Sequence, residues 1–437
     1  MAIFSGRLRP VCVDAGELLR TDLMLECLVE VVRQPAIAWR MPGWLWRGRG
    51  YFKRRLADHA NLNVSTLPYD AAKLAQLKSQ AGAGNLHLVT RADEEIAKKV
   101  AAHLGISEDV VASSPAANLS SGGKRKALDR KYAPNGYDYI AARRSFPSIR
   151  QVIRLLRPYQ WMKNVLVFLP FLLAHHIRDL DKWVASTLTF VAFSLTASTG
   201  YVINDVLDRG QDRLHQRKRS RPVASGAIPL RWALWLPLLP AGGAAACCLF
   251  LPWRCSAMLG GYFCASYFYS LVAKNRLMAD VILLALLYAS RLLTGSAATH
   301  NVVSPWLLGF SVTLFLSLAL CKRVSELITR QAENKEDAPG RKYRVQDIPV
   351  LEMMAVASGF LACLIMVLYI QSSEILRLYR HPQYLWFAAV SLLYWIGRLI
   401  IFTHRGKCPD DPLFFVLQDK ATLLIFAVAA LLGYLAI

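Results

Sequence analysis

The chain has 437 residues, 54% of them hydrophobic, with 52 Lys and Arg against 30 Asp and Glu and a net charge of +22. That length allows two or three domains, but the composition changes from mixed before about Ser145 to long apolar runs beyond Trp161, which excludes a single soluble core. The positive charge sits in the N-terminal region and in short segments between apolar runs, and no basic stripe with interleaved stacking aromatics appears, so nucleic acid is excluded as a partner in favour of a membrane with phosphate or headgroup ligands.

Residues 1–145 read as a small α/β unit. Its N-terminus lacks an apolar signal core, so no cleaved secretory peptide is expected and the region is placed in the cytoplasm. Val11-Cys-Val forms a short strand ending at Asp14, and Leu86 to Thr90 a second ending at Thr90. Both side chains then fall at the carboxyl edge of a parallel sheet, where ligands usually bind. A helix is predicted over Asp93 to Leu104, and the segment 116–127 is a loop entering a helix around Lys124. Residues 146–160 link this unit to the membrane part, 161–437.

Nine apolar runs follow, at 161–177, 183–203, 231–251, 255–273, 277–298, 304–321, 350–371, 383–402 and 421–437. Each approaches the ~20 residues that a helix needs to cross the hydrocarbon. The expected architecture is therefore an all-α, nine-helix polytopic membrane domain behind the α/β unit. Segment 204–230 carries Arg209, Arg213, Arg217, Lys218, Arg219 and Arg221, and segment 322–349 is equally basic, whereas the alternate loops are poor in cations. The positive-inside rule puts these segments and the N-terminus on the cytoplasmic face of the inner (plasma) membrane and the C-terminus outside. None of the nine cysteines makes a C-x-x-C pair, and several lie in apolar runs, which argues against a disulfide framework or zinc.

The chemistry concentrates at 204–226. Asp205, Asp208 and Asp212 are spaced three and four apart, with His215 three further on, so a helix places all four on one face. Carboxylates converging at the mouth of a span repel one another unless a cation is present. Magnesium suits such oxygens and commonly bridges one or two carboxylates to substrate phosphates. Asn204 adds a neutral ligand, and Lys218 and Arg221 can meet outer phosphate oxygens. The competing reading is a solvated helix end whose acids pair with neighbouring arginines.

This stretch, together with Arg157-Pro-Tyr-Gln-Trp-Met-Lys163-Asn164-Val-Leu-Val, resembles the UbiA superfamily of membrane prenyltransferases, most nearly the branch containing decaprenyl-phosphate phosphoribosyltransferase. The resemblance covers about 150–437. It implies helices around a lipid-open cavity with two polar motifs at its cytoplasmic mouth, magnesium held by Asp205, Asp208 and Asp212, and substrate contacts from Lys163 and Asn164. Where the second motif of that family is again acidic, this chain has Lys322-Arg323-Val-Ser-Glu326. Lys322 and Arg323 either capture a donor phosphate or anchor a helix end. Lys274 and Asp280 are further candidates for the mouth. Arg291, deep in a span, reads as part of a pairing network or as a contact to lipid phosphate. Arg341-x-Tyr343-Arg344 and Asp410-Asp411-Pro412 are loop features of the same branch, with no role assigned.

The N-terminal unit resembles a haloacid-dehalogenase-type phosphatase in degenerate form. Asp14, Thr90 and Lys124 match three of its positions, but the second acid and the late acidic pair are missing, with Glu17 the nearest substitute. The resemblance implies no working phosphatase there. For the membrane part it implies a magnesium-dependent transferase acting on a diphosphate-bearing donor, with phosphoribosyl diphosphate and a polyprenyl phosphate favoured. The alternatives are transfer of a prenyl group to an aromatic or other small acceptor, and a non-catalytic lipid carrier.

Overall fold

The computed structural model describes residues 9–120, 122–132, 136–143, 146–332, 342–408 and 419–437. Arg341 and Asp410-Asp411-Pro412 lie outside the described residues. The chain divides into two compact units, one comprising Met1–Pro158 and Ser198–Pro240, the other Tyr159–Ala197 and Ala241–Ile437.

In the first unit, β1 (Val11–Asp14), β2 (Leu86–Asp93), β3 (Ser107–Ser113) and β4 (Asp138–Ile140) form a parallel sheet in the order β3-β2-β1-β4. Side chains alternate between its faces. Val13, Leu86 and Leu88 join one core cluster, Cys12, Val89 and Val111 the other. Burial on both faces explains why the Val11-Cys-Val of β1 is apolar throughout, without alternation. Asp14 ends β1 opposite Val89, next to Thr90, but β2 does not end at Thr90 as expected: it runs on to Asp93. The helix predicted from Asp93 runs Glu94–Leu104, with Asp93 as its N-cap and Gly105 closing it in the left-handed conformation.

Helix α1 (Leu23–Val32) has apolar residues nearly all round, which is the pattern of a helix buried on two sides. Leu23, Cys27 and Val31, spaced by four, pack on the sheet cluster. Leu25 and Val29 pack instead with Val202, Val206, Val223 and Ile228. The residues 198–240 therefore share a core with the N-terminal module.

Five helical stretches are long and apolar enough to cross a membrane: Leu180–Leu214, Ala279–Thr299, Pro305–Ala332, Val345–Ile370 and Pro382–His404. We label Leu180–Leu214 α2, Ala279–Thr299 α3 and Pro305–Ala332 α4. The helix Lys420–Leu435 is apolar but shorter. The nine expected spans are thus not recovered as nine long helices among the described residues. The run 161–177 is instead a 3-10 segment, Pro158–Phe168, followed by Leu169–Leu173. The run 231–251 breaks into Leu230–Trp235 and Leu238–Cys248 around Pro237. Proline removes an amide donor and clashes with the preceding turn, and apolarity alone does not report that break. In the second unit, Gly295 of α3 stands where an added Cβ would fall 2.1 Å from the Val167 carbonyl oxygen, so only glycine permits this approach of helix and backbone.

Candidate active site

The C-terminal half of α2 carries the acidic motif. Asp205 and Asp212 are buried and Asp208 is half-buried, in keeping with one helical face. The helix ends at Leu214, so His215 falls in the following turn, exposed, and does not extend that face. Arg221 turns back onto the acids. Its Nη1 donates to Asp212 Oδ2 at 2.7 Å and to Asp205 Oδ1 at 3.3 Å. Asn204 is half-buried beside Asp205, and Lys218 is exposed on the one-turn segment Lys218–Ser220.

A residue given no role from the sequence completes the cluster. Arg157 caps the helix Ile149–Leu156 with φ 53°, a left-handed backbone that glycine normally supplies. Holding a larger residue there costs roughly 1–3 kcal/mol. Its Nη2 donates to Asp205 Oδ1 and its guanidinium lies 5.4 Å from the Tyr201 ring centre. The signal was present in the sequence as Arg157-Pro158, since proline disfavours a helical residue before it.

The fit of these residues to a hard divalent cation turns on Asp205. Its Oδ1 accepts from two arginines, while Oδ2 is buried and has no hydrogen-bond partner among the described residues. A buried polar atom left so costs about 1–3 kcal/mol unless a further group meets it. Asp205, Asp208, Asp212 and Asn204 supply the hard oxygens that magnesium prefers. Among the described residues no three His, Cys, Asp or Glu form a ready metal cluster. The site therefore does not offer an all-protein cage, and the donor set fits a cation that takes its other ligands from phosphate and water.

The second unit holds another polar cluster. Asp280 near the start of α3 is fully buried. Its Oδ2 accepts from Arg323 Nε at 2.7 Å and its Oδ1 from the Tyr343 hydroxyl at 2.6 Å. Arg323, on α4, also donates to Glu326 Oε2 and, at 3.1 Å, to the Tyr269 hydroxyl. Burial, reinforced by the bond to Asp280, pushes the Tyr343 hydroxyl pKa above its ordinary value. The same hydroxyl accepts from the Met278 amide at 3.0 Å, where Met278 sits at φ 61°. Arg323 is thus engaged in internal pairing with Asp280, Glu326 and Tyr269. A buried arginine must have its charge met, and Asp280 lies where it can do so. Its neighbour Lys322 is half-buried and has no such acid partner among the described residues. Lys274 is half-buried in the turn before α3.

Asn164 belongs to a further polar cluster of the second unit. It is buried, donating to Ser194 Oγ at 3.0 Å and accepting from Arg291 Nε at 2.9 Å. Arg291 is ringed by Phe193, Tyr262 and Tyr288, with ring centres 4.9 to 5.2 Å away. Asn164 therefore pairs with a buried arginine, and the groups around Arg291 are an amide and aromatic rings. Lys163 is half-buried, its Nζ 5.7 Å from the Tyr288 ring centre.

At the sheet edge of the first unit, Lys124 Nζ and, at 3.0 Å, the Tyr139 hydroxyl donate to Asp14 Oδ2. The Thr90 hydroxyl accepts from the Ala92 amide at 3.2 Å. Glu17 accepts from Lys73 Nζ at 2.6 Å and from the Arg143 amide at 3.1 Å, so it is held away from the role of a second acid beside Asp14.

Comparison with known proteins bears on this geometry. The model of the UbiA prenyltransferase family matches residues 164–425. The uncharacterized protein y4nM of Sinorhizobium fredii is 28% identical across 98% of this chain and 90% of its own length. Nodulation protein NoeC of Azorhizobium caulinodans is 31% identical over 63% of this chain and 89% of its own. Decaprenyl-phosphate phosphoribosyltransferase of Mycobacterium tuberculosis is 30% identical over 40% of this chain and 60% of its own.

Proposed function

This chain belongs to the UbiA prenyltransferase family, and from that premise we propose that it moves phosphoribose from phosphoribosyl diphosphate to a polyprenyl phosphate at the cytoplasmic face of the plasma membrane. A lipid phosphate oxygen attacks the anomeric carbon of the donor. The bond from that carbon to the diphosphate oxygen breaks, and diphosphate leaves with the electron pair.

The observation that carries the reading is Asp205: a buried carboxylate, gripped on one oxygen by Arg157 and Arg221, with the other oxygen unmet among the described residues. Asp205, Asp208 and Asp212, with Asn204, would hold magnesium, which when bound neutralises the leaving diphosphate. Arg157 and Arg221 fix the direction of Asp205 and Asp212 through their hydrogen bonds. Arg221 and Lys218 also offer cations over which growing phosphate charge can spread. Lys322 adds positive charge in the second unit, since Arg323 beside it is already neutralised by Asp280 and Glu326. That surplus suits a donor with two separated phosphate groups, and the mycobacterial relative is named for such a transfer. Pure lipid carriage gives no reason to bury an under-bonded carboxylate.

The test is to incubate the purified full chain in nanodiscs with magnesium, offering phosphoribosyl diphosphate or a prenyl diphosphate with a polyprenyl phosphate or an aromatic acceptor. Mass spectrometry should find a phosphoribosylated lipid. A prenylated aromatic would overturn the donor assignment, and the absence of product from every pairing would overturn the enzyme reading.

A further inference from the structure

The helix that bears the acids has a second stripe. Val202, Val206, Arg209 and Arg213 recur at intervals of four, three and four, on the face neighbouring Asp205, Asp208 and Asp212. Two valines and two arginines make an odd apolar seam, because a guanidinium without a counter-charge is costly to bury. Arg209 is nevertheless 0% exposed. Its counter-charge comes from the N-terminal module, from Glu26 of α1, itself 0% exposed.

The contact is specific. Arg209 Nε donates to Glu26 Oε2 at 2.6 Å, and Arg209 Nη2 to the Glu26 carbonyl at 2.8 Å. Arg213 Nη2 donates to Glu26 Oε1 at 2.6 Å and its Nη1 to Oε2 at 3.3 Å. The Thr21 hydroxyl donates to Oε1 at 2.6 Å, and Glu30 lies 3.2 Å from Arg209. Arg213 Nε reaches on to the Ala224 carbonyl at 3.1 Å, in the turn that follows Arg221. Around this charge network, Leu25 and Val29 pack with Val202 and Val206. Gly226, at φ 72°, closes the same turn against the module. An added Cβ there would stand 2.6 Å from Arg20 Cβ and 3.0 Å from the Arg20 carbonyl oxygen.

We propose that Glu26 is a positioning residue for the transferase, and that the N-terminal module is a brace that fixes the rotation of the acidic helix and the return of Arg221 through Arg209, Arg213 and the Gly226 turn. The inference rests on the reading of Asp205, Asp208 and Asp212 as the magnesium site. One rigid helix carries both stripes, so a change in its seating on α1 moves the carboxylates. Displacements of about 1 Å at a reacting centre can cost on the order of 10²-fold in rate. The module thereby serves the reaction without touching substrate, and its sheet-edge residues need no phosphatase activity to be kept.

The test uses the full chain in nanodiscs, assayed well below the melting temperature of every variant with whichever donor the wild type turns over. Glu26→Gln should raise the magnesium concentration for half-maximal activity about tenfold, less than the ~10²-fold that a full 1 Å misplacement can cost, with a smaller change in the lipid KM. Glu26→Asp should recover part of that loss. Thr21→Val removes one hydrogen bond and is the milder variant should Glu26→Gln fail to fold; a shift of about threefold is expected from it. Amide exchange across 204–214 should quicken in the same order. Unchanged magnesium response and unchanged exchange in these variants would overturn the brace. A wild type that turns over without regard to magnesium would instead overturn the metal reading, and the exchange data would then decide the brace alone.

Discussion

The acid cluster of α2 and the Asp280 cluster use the same residue types and are finished differently. Asp280 has both oxygens bonded, and Arg323 spends its three nitrogens on Asp280, Glu326 and Tyr269. Asp205 has two donors crowded on one oxygen and, among the described residues, none on the other. A fully satisfied buried network rigidifies a core, whereas a partly satisfied one is unstable unless something else binds. The family motif position is no guide to which is which. The count of used and unused atoms separates a scaffold from a site.

The largest effect expected from this contrast is on folding. Arg323→Met strands Asp280 as a buried charge, and removing one partner of such a pair costs about 3–5 kcal/mol. Thermal melting of the full chain in nanodiscs should fall steeply, and a melting curve like the wild type's would break the claim that this cluster is scaffold. Asp205→Asn should do the opposite: fold nearly as before, yet lose on the order of 10²–10³-fold in turnover, the size seen when one preorganised charge-stabilising group is removed. Steady-state rates at saturating magnesium check it.

A third outcome is a pH effect. Burial alone would raise the Glu26 carboxyl, but Arg209 and Arg213 outweigh it and hold the group below its ordinary value of 4.5. The sign follows from linkage: stability from Glu26 is full above that ordinary value and is lost as pH falls through the lower, folded one. Acid melting of the wild type should therefore steepen below about pH 4.5. In Glu26→Gln, where Thr21, Glu30, Arg209 and Arg213 still face the side chain, that increment should be absent. Lys322→Ala is expected to raise the donor KM about threefold to tenfold, the loss of one partly solvated charge contact, with the lipid KM less affected. Smallest of all, Asp14→Asn should leave transferase activity within twofold, since Asp14 bonds Lys124, Tyr139 and Gly16 and none of the acids of α2.

Much of this was legible in residue spacing. The acidic face at 205, 208 and 212 was, because helical periodicity is local. So were β1, the first part of β2 and the helix after Asp93, whereas the continuation of β2 from Thr90 to Asp93 was not, because Arg91 and Asp93 break the apolar pattern. His215 was misplaced because nothing in the pattern marks Leu214 as the last helical residue. The spans expected at 161–177 and 231–251 stand as shorter helical pieces, where Pro170 and Pro237 interrupt the apolar runs. The partners of Asn164 and Arg323 were not legible, because a sequence shows a polar group but not what it bonds, 127 residues away for Asn164 and 43 for Arg323. Glu26 was invisible for the same reason: one acid in an apolar helix matters only once two buried arginines are found opposite.

The Glu26–Arg209 pair spans 183 positions of the chain, and that distance orders events during synthesis. Domains made first generally fold first, at roughly 5–20 residues per second. Until α2 is made, Glu26 on α1 lacks the two arginines that cover it. The seam between α1 and α2 therefore closes only after Arg209 and Arg213 have been delivered, and a ribosome stalled before Arg213 holds a module whose Glu26 is not yet fully paired.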